Sequence, residues 1–122
     1  MGGQDTAACA NATTPAPVPT TNICPAGWRL PTGGSGGEFT ALNTAINGGS
    51  TSSDAGLLTN GLFQRSGLWS NGFYSQGSNG SYWSSTQNSA ADARNLNFSS
   101  TGVNPANGTS KRNGFAVRCV AE

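Results

Sequence analysis

The chain has no histidine, and only six basic and five acidic residues are spread over its 122 positions, for a net charge of +1. Each shortage excludes something. Without histidine or carboxylates paired close in sequence, the usual general acid–base groups are missing, and no Gly-x-Ser-x-Gly elbow or phosphate loop stands in their place. No catalysis is expected. Zinc would need ligands that a chain without a Cys-x-x-Cys pair does not offer. Asp5, Glu38, Asp54, Asp92 and Glu122 are too dispersed to supply the several carboxylates that calcium takes. Neither a metal nor another cofactor is expected. Beyond Lys111-Arg112 the basic residues form no patch, which removes the electrostatic footprint of a nucleic-acid binder. No apolar run nears the ~18 residues of a membrane span, so this segment is not expected to insert, and no signal peptide is visible.

What fills the chain instead is neutral and polar. Asn, Ser, Thr, Gln and Gly make up 63 of the 122 residues, a loop-rich composition. Disorder ordinarily comes with high net charge and few aromatics, whereas ten Phe, Trp and Tyr are present here. The chain is read as folded, and its length fits one domain.

Residues 1–22 end in "NATTPAPVPTTN", whose prolines lack apolar periodicity, and are read as an extended linker or stalk-proximal segment. The domain is expected over residues 23–122. "CPAGWRLPTGG" places Trp28 and Leu30 at strand spacing, a short buried strand, with Trp28 and Trp83 expected in the core and Trp69 less committed. In "SGGEFTALNTAING", Ser35 and Glu38 stand at capping-box spacing, Phe39, Leu42, Ala45 and Ile46 share a helical face, and Gly48 is a stop. A second, shorter helix is expected from Ser53-Asp54 through Leu57 and Leu58. From residue 62 onward short apolar runs, with four of the chain's six Asn-Gly pairs, predict antiparallel strands joined by polar loops. Leu96 and Phe98 are expected to face a core and Asn95, Asn97 and Ser99 to face away. In "GFAVRCV" the period-2 alternation predicts a half-buried strand, with Phe115, Val117 and Cys119 on one face. Helices followed by a small antiparallel sheet make the fold α+β.

Cys9, Cys24 and Cys119 admit two readings, free buried thiols or a disulfide between Cys24 and Cys119 that staples the domain's ends and leaves Cys9 odd.

"CPAGWRLPT", "YWSST" and "GFAVRCV", in that order, resemble the Fibrobacter succinogenes major paralogous domain, a bacterial group of C-type lectin-like fold, over about Ile23 to Val120. The resemblance implies two helices and a small twisted antiparallel sheet with long polar loops, the first and last strands pairing near the termini and bringing Cys24 beside Cys119. Within that superfamily the chain further resembles variable proteins diversified by retroelements, which randomise adenines at the gene's 3′ end. The Asn, Ser and Thr of residues 87–113 match the products of such randomisation. The implied function is a ligand-binding, adhesin-like module at the bacterial cell surface or outside it, part of a longer surface protein, with an unknown protein or glycan as partner. Its binding face is expected at Asn88, Asn95, Asn97, Ser99, Thr101, Asn104, Asn107, Ser110, Arg112 and Asn113, exposed over buried Leu96, Phe98, Phe115 and Val117. The rival expectation is a structural module of a pilus or other appendage with no specific ligand.

Overall fold

A computed structural model describes residues 23–122; the lead-in 1–22, with Cys9, lies outside them. The described residues form an α+β domain of two helices and three small antiparallel sheets. In chain order these are β1 (Trp28–Arg29), α1 (Glu38–Asn47), α2 (Ala55–Leu58) with a 3₁₀ turn (Thr59–Gly61), β2 (Leu68–Trp69), β3 (Phe73–Tyr74), β4 (Asn79–Gln87), β5 (Asp92–Ser99), β6 (Gly102–Ser110) and β7 (Val120–Ala121).

Helix α1 begins as its sequence predicts but with a different cap. Ser35 stays outside the helix; the backbone N–H of Glu38 donates to Thr32 Oγ1 at 3.0 Å, and Thr32 N–H donates back to Glu38 Oε2 at 2.8 Å. This is the reciprocal exchange of a capping box, made across a glycine turn that folds Thr32 over the helix start. Arg29 then grips Glu38 with two bonds of 2.6 Å, tying β1 to α1. The Arg29 guanidinium is the main reason the Glu38 carboxyl falls to about 2. Since the folded-state value lies below the unfolded one, the pair's contribution is present above about pH 4.5 and is lost as pH falls towards 2. Both side chains are partly open to water, so that contribution stays under ~1 kcal/mol. At the other end Gly48 takes φ 61°, the left-handed stop. Phe39 is buried, and Leu42 and Ile46 pack beside it, but Ala45 is exposed and Asn43 occupies the buried face instead. Asn43 is tolerated there because its amide is used: Nδ2 donates to Ser50 O, and Oδ1 accepts from Asn47. Asp54, buried before α2, receives Arg65 through two 2.9 Å bonds.

The main sheet runs β4-β5-β6, with Tyr82, Leu96, Phe98 and Val103 on the side that meets Phe39, Leu57 and Phe63. Phe63 packs edge to face against the other rings there, lying 5.0 Å from Tyr82, while Tyr82 and Phe98 stack at 6.0 Å. Gly80 is required beneath Phe98, because a Cβ would collide with that ring.

Two expectations are corrected. Trp28 is exposed, not core, because β1 is a two-residue strand at the edge of a two-stranded sheet. "GFAVRCV" is not one continuous strand: Gly114 exchanges bonds with Trp69, Ala116 bonds Ser81 and Trp83 of β4, and only Val120–Ala121 pairs with β1. Each short stretch meets a different neighbour, so both of its faces touch protein. Phe115 stacks on Trp83 at 4.4 Å while Ala116 joins the core, leaving Phe115 and Val117 half-buried. The disulfide Cys24–Cys119 closes the ends, Cα to Cα 5.8 Å, across a separation of 95 residues. In the chain-entropy account such a loop removes about 4–5 kcal/mol of denatured-state entropy.

Candidate functional site

The face of β4-β5-β6 turned away from the core is built in rungs. Antiparallel register places Trp83 beside Asn95 beside Asn107, then Ser81 beside Asn97 beside Asn104, then Asn79 beside Ser99 beside Gly102. A bulge between Asn95 and Asn97 leaves Pro105 and Ala106 of β6 without partners opposite, which suits a proline on an edge strand.

Burial falls along these rungs. In the first, Trp83 and Asn95 are fully buried, and the stacked ring of Phe115 covers Trp83. Asn95 therefore does not face solvent, which corrects its assignment to an exposed face. Its Oδ1 accepts from Asn107 Nδ2 at 3.1 Å, and its own Nδ2 finds no protein partner. In the second rung, half-buried Asn97 donates to the buried Ser81 hydroxyl at 3.0 Å, and Asn104 is exposed, its Oδ1 accepting from Ala106 N–H. Beyond the third, Ser99 and exposed Thr101 share a hydroxyl contact at the β5–β6 turn.

The ten expected residues thus separate into two groups and one buried member. Asn97, Ser99, Thr101 and Asn104 are neighbours at the turn end of β5 and β6, and Asn107 follows one rung further along, beside Asn95. Asn88, Ser110, Arg112 and Asn113 lie at the opposite end of the sheet, where Ser110 pairs with Asp92 and the Asn88 amide crowds Gly108. Half-buried Asn113 donates to Thr109 there, while Arg112 and Asn88 are exposed.

A second exposed feature was only partly visible in the sequence. The β2–β3 hairpin carries Trp69, Phe73 and Tyr74, which are 44%, 75% and 54% exposed. Trp69 stood out among its glycines; Tyr74 gave no signal, because a lone aromatic in a polar run reads equally as core.

These features define a class, a disulfide-closed α+β domain with a neutral, amide-lined sheet face. Residues 51–120, more than half of the chain, match the family described as Domain of unknown function (DUF8237), and the protein belongs to that family. No curated protein and no solved structure matches it. Among the described residues, no three of His, Cys, Asp and Glu gather as metal ligands would, and no helix is long and apolar enough to cross a membrane.

Proposed function

We propose that this domain is a non-catalytic ligand-binding module of C-type lectin-like fold, displayed at or beyond the bacterial cell surface, that recognises its partner with Asn97, Ser99, Thr101, Asn104 and Asn107. The observation that carries the reading is the arrangement of these side chains side by side next to the fully buried Trp83 and Asn95. Short polar groups on a rigid support offer adaptable hydrogen bonds at little rotamer cost. The fold reading is supported by the pairing of the first strand with the last, the disulfide beside that pair, and the two helices against one face of the sheet. The extracellular reading draws on the disulfide. Retroelement diversification would place its variable codons at the rim positions, with Asn95 held fixed, and a near-identical template repeat beside a reverse-transcriptase gene is its genetic signature.

A structural appendage module is the second reading, favoured by the amide-to-amide bond of Asn95 with Asn107 and by the Asn97–Ser81 bond, which use up part of the face internally. Arrayed glycans and bacterial surface proteins, probed with the wild-type domain and with a Ser99→Arg/Asn104→Arg variant of matched melting temperature, separate the two. A ligand held by the wild type and lost by the variant is expected. Absence of any ligand would leave the structural reading standing, and equal binding by both would take recognition away from this sheet face.

A further inference from the structure

The β2–β3 hairpin spends stability that the fold does not recover. Phe73, the residue opposite Trp69, leaves three quarters of its surface in water, and Tyr74 leaves half. Two non-glycine residues in this short stretch hold left-handed backbone, Asn71 at φ 58° and Ser75 at φ 60°. Asparagine adopts that conformation readily at a turn, but a serine there costs on the order of 1 kcal/mol. Strain and exposed aromatic surface together, on an element that adds little to the core, point to recognition.

The local geometry keeps the aromatic surface open. Trp69 and Phe73 are cross-strand partners and so project from the same face of the hairpin, Tyr74 from the other. On the opposite edge of β2, Trp69 is bridged to Gly114, and a side chain at that position would press on Trp69, its Cβ 3.2 Å from the Trp69 Cβ. Glycine leaves this flank bare.

What fits is set by charge and by size. Residues 66–91 contain no Asp, Glu, Lys or Arg, Arg65 at the base of the hairpin is committed to Asp54, and the segment bridged to Trp69 at Gly114 contributes one basic pair, Lys111-Arg112, of which Lys111 donates to Ala90 O. Nucleic acid and anionic lipid both call for basic residues around an aromatic platform. At roughly 200 Å² per aromatic side chain, the three expose about 350 Å², less than half of the ~800 Å² that each partner of a stable protein complex buries. A small, uncharged ligand remains, one with a flat C–H face for the rings and a rim of hydroxyls for the Ser and Asn amid which they sit. That is the chemistry of a neutral pyranose.

We propose that the Trp69/Phe73 face of the hairpin is a stacking site for a neutral carbohydrate, distinct from the amide-lined sheet face. The site is tested by titrating cellohexaose, chitohexaose, maltohexaose and xylohexaose into the whole domain, following tryptophan emission and amide chemical shifts. At least one sugar is expected to shift the resonances of residues 68–75, with binding weakened about tenfold or more in a Phe73→Ser variant. Because Phe73 is largely exposed, its replacement should leave the melting temperature in place. The proposal is overturned if none of the four sugars binds, or if Phe73→Ser binds as well as the wild type. Self-association, or binding to anionic vesicles, that disappears in Phe73→Ser would likewise assign the hairpin elsewhere. Loss of binding in Asn104→Arg alone would give the sugar to the sheet face, so the two sites fail separately.

Discussion

Both faces of the β4-β5-β6 sheet are closed to solvent at their centre, one by hydrocarbon and the other by amides beside a stacked Trp83–Phe115 pair. On the helix side, Leu96 and Phe98 are buried among Phe39, Leu57 and Phe63. One residue along the same strand, Asn95 is just as buried, but against Trp83 and Asn107. The first arrangement is held by non-directional burial, for which any well-filled apolar shape serves. The second depends on particular donors and acceptors meeting, and an unmatched one has a cost, as the unpartnered Asn95 Nδ2 illustrates. The same polar residue type thus serves as scaffold at Asn95 and as surface at Asn104, with burial as the dividing variable.

The comparison is challenged hardest by emptying the hydrocarbon side. Phe98→Ala is expected to lower unfolding free energy by about 3–5 kcal/mol in urea titrations, because the ring is fully buried in an aromatic cluster. Phe115→Ala should cost less, about 1–3 kcal/mol, since that ring is half-exposed and stacks on one neighbour. Equal losses at the two positions would mean that the Trp83 side is as much a core as the helix side.

How far the sequence reveals this architecture follows from the same physics. The spacing of Phe39, Leu42 and Ile46, the alternation of Leu96 and Phe98, and Gly48 as a stop were all legible, because burial and backbone conformation leave local periodic marks. The α1 cap was misplaced onto Ser35, since its true partner, Thr32, is brought over by a glycine turn that spacing rules do not anticipate. Trp28 gave the wrong signal because residue type reports preference for burial, not whether a two-residue edge strand can provide it. The amide face was half legible. Alternation correctly put Asn95, Asn97 and Ser99 opposite Leu96 and Phe98, but it does not say which amides are covered, and Trp83, the neighbour of buried Asn95, is itself stacked under Phe115 from a segment some twenty residues away.

The amide side yields a smaller effect and a sharper test. Asn95→Ala removes a fully buried side chain and leaves Asn107 without its acceptor, so a loss of about 1–3 kcal/mol is expected by thermal or chemical denaturation. A loss below ~0.5 kcal/mol would place Asn95 with the tolerant surface positions and erase the distinction drawn between scaffold and rim.

The smallest effect is the one on which the rim depends. Asn104 lies one rung away from Asn95 on the same face, yet it is exposed, and its Oδ1 accepts a local bond from Ala106 N–H, which water can replace. Asn104→Ala is therefore expected to change stability by no more than ~0.5 kcal/mol. Asn97→Ala, whose amide reaches the buried Ser81 hydroxyl, should fall between Asn104 and Asn95, at about 0.5–1.5 kcal/mol. The ordering Asn95, Asn97, Asn104 follows burial, and denaturation of the three single variants under one set of conditions measures it. If Asn104→Ala proved as costly as Asn95→Ala, the exposed rim would be part of the scaffold, and a face that must keep its residues to stay folded could not be varied to suit a ligand.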